Sequence, residues 1–143
     1  MIRLVFSVLM LVVFALPVAA YDKEDDQIVI YEEFHIPIKF AETVELNTLK
    51  PGDKIDIAVN EDTGLDEDNK VFKENAKGYA VVEKKDGKWH IENGKIIDIY
   101  GYQHPIIIKG FYLKYFDKGG KYIIKEGYVI DAFTKEKKIY HRQ

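Results

Sequence analysis

The sequence predicts an all-β fold, a single antiparallel β-barrel or sandwich of about eight to nine short strands behind an N-terminal signal peptide. Apolar residues after Ile28 occur in short or alternating runs, which is the pattern of half-buried strands. Turn dipeptides such as Asp86-Gly87 separate these runs. The chain has 143 residues, of which 47% are hydrophobic and 13% aromatic, enough for one core and too many for a disordered chain.

The N-terminus has the layout of a secretory signal peptide. Arg3 supplies a positive charge, residues 4–16 form an apolar stretch, and residues 17–20 end in small side chains. We therefore expect cleavage of residues 1–20 before Tyr21 and export to the periplasm or the secreted space. The alternative is an uncleaved anchor, although the stretch barely reaches the ~20 apolar residues that a bilayer requires.

The rest of the chain divides into a charged leader (21–27), a β domain (28–134) and a polar tail (135–143). Without residues 1–20, which contain Arg3 and no acid, 20 basic residues face 24 acidic ones, a formal net charge of −4. This balance argues against nucleic acid or anionic lipid as a partner. Contact with a membrane is expected only through the signal segment before cleavage.

The first strands of the β domain are bounded by clear turn signals. A run at 36–40 contains Pro37, which cannot donate a backbone hydrogen bond and therefore predicts either an edge strand or a strand that begins after Pro37. Residues 50–53 predict a turn in which Gly52 has positive φ. The alternating segment 54–59 follows, with one face apolar and one face polar.

In the second half, Asp86-Gly87 predicts a two-residue hairpin and Asn93-Gly94 predicts another. Residues 65–77 could form a helix ending at Gly78, but the apolar stripe is thin. A long hairpin loop followed by a short strand is the preferred interpretation. The remaining predicted strands are 105–109, 111–116, 121–125 and 128–133.

A longer pattern covers residues 36–100. Its motifs are Leu49-Lys50-Pro51-Gly52-Asp53, Ile55-Asp56-Ile57, Glu61-Asp62, Val71-Phe72-Lys73 and Tyr79–Val82. This arrangement resembles the small exported bacterial β-barrel domains of type IV secretion and conjugation outer-membrane complexes. The chain departs from them at Glu74-Asn75-Ala76 and lacks their Pro-rich linker and inserted helices. The resemblance implies a fold and a compartment, but no activity and no functional residue.

An acidic segment, residues 61–69, is the candidate metal site. Asp62, Asp66 and Asp68 could offer the hard oxygens that calcium prefers, but Lys70 stands where an EF-hand has a third oxygen ligand. A solvated hairpin tip is therefore the favoured interpretation, and no metal or cofactor is predicted. Zinc is not indicated either, because no two histidines have ligand spacing. Of these, we expect His104 to cap a turn and His90 to lie on a wet strand face.

No catalytic residue is predicted. The chain has no Cys, and its one Ser is Ser7 in the signal segment, so the exported part has neither a thiol nor a serine nucleophile. A pair of carboxylates remains conceivable, but nothing in the sequence singles out a pair. The sequence therefore predicts a protein that is not an enzyme.

Aromatic residues crowd the C-terminal half and form the candidate binding surface. Tyrosine offers a large rigid ring with a polar tip, which suits a partner interface. Core packing and cross-strand pairing are the favoured alternative, because aromatics are common in strands. The candidate residues are Tyr100, Tyr102, Tyr112, Tyr115 and Phe116.

Three functions are compatible with these features. The first is an exported, non-catalytic module of the bacterial envelope or secreted space that binds a protein or another envelope component. The second is a carrier whose aromatic-lined barrel encloses a small apolar ligand, and the third is a carboxylate-dependent hydrolase. A packed interior with an exposed apolar strip would favour the first, an internal cavity the second, and a buried carboxylate pair the third.

Overall fold

A computed structural model describes residues 27–109, 119 and 121–141. The chain divides into two compact units. The larger unit is Tyr31–Lys137, and the smaller one joins the segments on either side of it. The described strands are β1 (Gln27–Ile30), β2 (His35–Phe40), β3 (Val44–Glu45), β4 (Lys54–Val59), β5 (Thr63–Gly64), β6 (Lys70–Phe72), β7 (Lys77–Lys85), β8 (Lys88–Ile97), β9 (Gln103–Ile108), β10 (Ile123–Ile124), β11 (Val129–Thr134) and β12 (Lys138–His141).

In the smaller unit, β1 pairs antiparallel with β12, from Gln27 opposite His141 to Ile30 opposite Lys138. The structure thus places a strand inside the segment that the sequence assigns to a polar tail, and β1 begins one residue earlier than predicted. Side-chain polarity misleads here because the ladder is made by backbone groups, which charged strand residues supply equally well.

The larger unit is built on a closed barrel of six strands, β2, β4, β7, β8, β9 and β11. Each strand runs antiparallel to its neighbours in chain order, and β11 closes the barrel by pairing with both β9 and β2. The all-β prediction is confirmed, and of the two architectures left open the structure has the barrel. Two small sheets accompany it, β3 with β10 and β5 with β6.

The interior of the barrel is packed with aliphatic side chains. Along the barrel strands most inward residues are buried and most outward residues are exposed or half-buried, which is the period of two expected of strands; the outward residue Ala58 is an exception, since it is 7% exposed. Large side chains such as Ile38 and Phe40 are completely inaccessible. The inward apolar set is Ile36, Ile38, Phe40, Ile55, Ile57, Val59, Ala80, Val82, Ile91, Ile96, Ile106, Ile108, Ile130 and Ala132.

Two of the predicted turns are confirmed. Gly52 has φ 93°, and the Asp53 N–H donates to the Lys50 carbonyl at 3.0 Å. Asp86 and Gly87 have φ 54° and 77° and connect β7 to β8 as a two-residue loop. Both residues of such a loop need positive φ, which explains why this dipeptide is a reliable signal.

The hairpin predicted at Asn93-Gly94 is wrong, because β8 continues through it. The pairing with β7 shifts by one residue at this point, so Glu92 and Asn93 together lie opposite Val81. The dipeptide marks a β-bulge instead of a turn. Gly94 is needed there because a Cβ would lie 2.2 Å from the carbonyl oxygen of Tyr79.

Both alternatives predicted from Pro37 are also wrong, since β2 begins at His35, before the proline, and pairs on both sides, with β11 and with β4. The carbonyl of Pro37 accepts a hydrogen bond from Asn60, just past the end of β4 at Val59. The nitrogen of a strand residue points to the same side as its carbonyl. The N–H that Pro37 lacks would therefore point past the end of the β2–β4 ladder.

No α-helix forms at 65–77, where the structure has a loop followed by β6, as preferred from the sequence. Within the described ranges, the helical element is a single 3₁₀ turn at Leu46–Thr48. No helix in this part of the chain has the length and apolar character needed to cross a bilayer.

Candidate functional site

A buried acid–histidine pair lies at one end of the barrel. His104 points inward from β9, and its Nε2 lies 2.7 Å from Oδ2 of Asp98, which follows β8. The two side chains are 1% and 0% exposed. The sequence prediction for His104, a turn cap, is therefore incomplete, because its imidazole binds the aspartate of the turn from inside the barrel.

The same aspartate organises the loop between β8 and β9. Its Oδ1 accepts the N–H groups of Tyr100 and Tyr102 at 2.8 and 3.0 Å. Its own N–H donates to the Tyr102 carbonyl, and its carbonyl accepts from Gly101, which has φ 88°. The backbone and the buried carboxylate of one residue, Asp98, thereby hold the loop.

Aromatic rings and β6 cover this pair, and we call Phe72, Asp98 and His104 the closed end of the barrel. The rings of Phe72 and Tyr102 each meet the His104 ring edge-on, with centroids 4.8 Å apart. The N–H of Ile99 also donates to the carbonyl of Val71 in β6. A histidine sealed in this way cannot touch a substrate, so we assign the pair a structural role.

Two of the five predicted aromatic binding residues lie in this loop. Tyr100 and its neighbour Ile99 are 54% and 50% exposed, whereas Tyr102 is half-buried against His104. The structure thus separates the two tyrosines into one surface residue and one packing residue. The other candidates, Tyr112, Tyr115 and Phe116, lie outside the described residues.

An open groove of about 550 Å³ lies on the outer face of the barrel. Its lining includes the small residues Ala41, Ala58 and Gly78. Ala58 of β4 has a lysine as its register partner on each neighbouring strand, Lys39 on β2 and Lys77 on β7. Because cross-strand partners are about 5 Å apart, the short alanine leaves a depression between two lysine side chains.

Charged side chains surround this groove. Asp56 and Glu126 line it together with the two lysines. The next lysines on the same outer face are Lys54, whose Nζ lies 4.3 Å from the centre of the Tyr79 ring, and Lys95, the register partner of Tyr79. The outer face of β2, β4, β7 and β8 therefore carries the four lysines Lys39, Lys54, Lys77 and Lys95 close to Asp56.

These four lysines make no salt bridge within 4.0 Å to any acid in the described part of the chain. The chain as a whole has more acids than bases, 24 against 21. The two lysines that line the groove, Lys39 and Lys77, lie beside the two acids Asp56 and Glu126, so the lining carries equal numbers of positive and negative side chains.

Apolar side chains lie beyond both lysines of the groove. Val129 is the register partner of Lys39 and is exposed, as is Tyr128 before it. On the far side, Ile97 comes directly after Ile96, the register partner of Gly78, and is half-buried opposite Gln103. These apolar residues lie beside the groove and are not part of its lining.

The predicted metal candidates are used as turn caps. Asp62 Oδ1 accepts the N–H of Glu74 at 2.8 Å, and Asp66 Oδ1 accepts the N–H of Asp68 and the amide of Asn69 at 2.9 Å each. Asp68 is exposed. No group of three or more potential ligands that could hold a metal occurs among the described residues.

Comparison of the chain with protein-family models, with curated proteins and with solved structures finds no match. The resemblance to secretion-system barrel domains therefore stays a prediction.

No local feature of the sequence predicts the groove, because its lysines are 38 residues apart and become neighbours only through the register of β2, β4 and β7. The pairing of Asp98 with His104 is not predicted either. One signal was present: His104, Ile106 and Ile108 alternate in phase, which places the histidine on the inward face of its strand.

Proposed function

We propose that this protein is an exported, non-catalytic β module that binds a macromolecular partner through the groove on its outer face. The observation that carries the proposal is the contrast between a filled interior and an open outer groove. Ile38, Ile57 and Ile106 inside the barrel are inaccessible, while the concavity of about 550 Å³ lies outside. Ligands bind in concave sites with a few polar groups.

The same contrast gives less support to a carrier, whose ligand would have to occupy the space that these side chains fill. A carboxylate-dependent hydrolase also has less support. Asp98 is the buried acid among the described residues, and it pairs with His104 instead of a second carboxylate. The export part of the proposal is supported by the signal-like pattern of residues 1–20.

Site-specific photo-crosslinking in the producing cells tests the binding proposal. A photoreactive amino acid in place of Ala41, an exposed residue of the groove, is expected to trap a partner as a discrete heavier species. The matched control places it at Lys85, which is exposed in the β7–β8 hairpin away from the groove. Equal trapping at both positions, or at neither, contradicts the proposal.

Mass spectrometry of the protein recovered from the extracytoplasmic fraction tests export. The expected mass is that of a chain beginning at Tyr21. Recovery of the full-length chain from the cytoplasm alone contradicts the export part of the proposal. It leaves the crosslinking result to be judged separately.

A further inference from the structure

We infer that a second hollow on the outer face of the barrel binds a small organic anion. This hollow has a volume of about 220 Å³ and lies over β7, β8 and β9, at the β-bulge of β8. It shares no lining residue with the groove, so the inference goes beyond the proposed function. We call it the bulge hollow, and the residues that line it include Tyr79, Val81, Asn93, Lys95, Pro105 and Lys135.

The register of the barrel brings these residues together. Lys95 is the partner of Tyr79 on one side and of Pro105 on the other. At the bulge Asn93 shares the place opposite Val81 with its neighbour. A bulge bends its strand and changes the direction of its side chains, which is why bulges recur beside binding sites.

The second lysine reaches the bulge hollow from the segment after β11. The N–H of Lys135 donates to the carbonyl of Pro105 at 3.0 Å, and its Nζ donates to Oδ1 of Asn93 at 3.1 Å. Both ends of this lysine are therefore held. Since an ammonium group only donates, the amide oxygen faces the lysine and the two N–H groups of Nδ2 remain as donors.

The charge of the lining selects an anion. Lys95 and Lys135 line the bulge hollow, and no acid does. Neither lysine makes a salt bridge within 4.0 Å to an acid in the described ranges. Glu92 precedes Asn93, but it is hydrogen-bonded to His90 at 3.0 Å and is not in the lining. Two ammonium groups and an amide donor therefore face a ligand without a competing carboxylate.

The size of the bulge hollow and its apolar sides select a small organic molecule. A volume of 220 Å³ equals that of about seven water molecules and is below the range of about 300–1,000 Å³ for drug-sized ligands. Tyr79, Val81 and Pro105 are half-buried around it. An organic body would remove these apolar surfaces from water, whereas a bare inorganic ion would leave them wet.

Titration of the ¹⁵N-labelled protein with phenyl phosphate and with benzoate, followed by two-dimensional NMR, tests the inference. We expect the amide signals of Gly94 and Lys95 to shift and saturate, with a Kd on the order of 1 mM for at least one probe. Binding should weaken as the ionic strength rises from about 0.01 M to about 0.15 M. The tighter of the two probes tells a phosphate ligand from a carboxylate ligand. Absence of saturable shifts with both probes overturns the inference.

Two simpler probes separate the charge from the organic body. Phenol, which lacks the anion, should bind at least about tenfold more weakly than phenyl phosphate. Inorganic phosphate, which lacks the ring, should bind at least about threefold more weakly. Phenol binding as tightly as phenyl phosphate would show that charge is not selected, and inorganic phosphate binding as tightly would show that the body is not recognised. Either result overturns the inference.

The variant K95Q/K135Q removes both charges of the bulge hollow and should weaken the binding of the tighter probe by at least about tenfold. The matched control is K85Q/K88Q, the same loss of charge at a cross-strand pair of exposed lysines in the β7–β8 hairpin. It should change the affinity by less than about twofold, because solvent ions screen a distant charge. Circular dichroism and the melting temperature establish that both variants are folded. Equal weakening by the two variants would show a response to net charge and overturn the inference, whereas the groove proposal would stand.

Discussion

The closed end of the barrel and its outer surface carry the same chemical pair in opposite environments. Asp98 and His104 are 2.7 Å apart and at most 1% exposed. His35 and Asp131 are 2.6 Å apart on the outer face, yet they are 51% and 64% exposed. Distance alone therefore does not distinguish these pairs, whereas burial does.

Burial changes what each pair does for the fold. Removing one member of a buried pair leaves a polar or charged group without solvent, whereas water replaces the lost partner at the surface. Asp98 also holds the N–H groups of Tyr100 and Tyr102. The buried pair thus fixes a loop that exposes Ile99 and Tyr100, and the surface pair fixes no comparable loop.

The largest effect is expected for Asp98→Ala. The substitution leaves the His104 imidazole and two loop N–H groups without their carboxylate, and it should lower the free energy of unfolding by about 3–5 kcal/mol. Urea denaturation followed by circular dichroism measures this change. Asp131→Ala, the surface control, should cost about 0–1 kcal/mol. Similar losses for both variants would contradict the role assigned to burial.

A pair of double-mutant cycles sharpens the same comparison. For Asp98→Ala with His104→Leu we expect a coupling free energy of about 1–3 kcal/mol, since the two groups are in direct contact and sealed from water. For Asp131→Ala with His35→Ala the expected coupling is below about 1 kcal/mol and falls in high salt. Both values come from denaturation midpoints. If the coupling free energy of the buried pair is no larger than that of the surface pair, the contact between Asp98 and His104 does not stabilise the fold more than a surface contact does.

Local signals in the sequence were sufficient for the turns and for the alternating strands. Gly52 and Asp86-Gly87 adopt the positive φ values that their turn types require, and these conformations depend on residues next to each other. Asn93-Gly94 has the same local chemistry, but tertiary pairing decides its outcome. There β7 and β8 approach each other closely at Gly94. A glycine permits such a close approach just as it permits a turn.

The site could not be predicted in the same way. Lys39 and Lys77 become neighbours of Ala58 only when the register of three strands is known. One slip by a residue would turn either lysine toward the interior. The inward position of His104 could be predicted, because the alternation of β9 places its side chain on the same face as Ile106 and Ile108. The position of its partner, Asp98, could not be predicted, because Asp98 lies in a loop and a loop has no hydrophobic period.

A smaller effect is expected at Asp66, which caps an exposed turn with the same kind of hydrogen bond that Asp98 makes inside. Asp66→Ala should cost about 0.5–1 kcal/mol, because water can satisfy the freed N–H of Asp68. Calcium should raise the melting temperature of the unsubstituted protein by less than about one degree. Differential scanning fluorimetry with and without calcium measures both effects. A rise of several degrees that disappears in Asp66→Ala would establish a calcium site at this turn.

The smallest effect is expected at the third acid–histidine pair, His90 and Glu92, which are 3.0 Å apart on the outer face. The hydrogen bond from His90, assisted by the positive charges of His90, Lys85 and Lys135, lowers the pKa of the Glu92 carboxyl below its ordinary value of 4.5. A depressed pKa in the folded state stabilises the protein above the unfolded pKa, and this stabilisation is lost as the pH falls through the folded pKa.

Carboxyl ¹³C chemical shifts followed through an acid titration should therefore give a midpoint for Glu92 below 4.5, and His90→Ala should raise it. Since the pair is exposed, water screens it, and the unfolding midpoint in urea should change little between His90→Ala and the unsubstituted protein at neutral pH. An unchanged Glu92 midpoint in His90→Ala would assign the shift to the lysines instead of the imidazole.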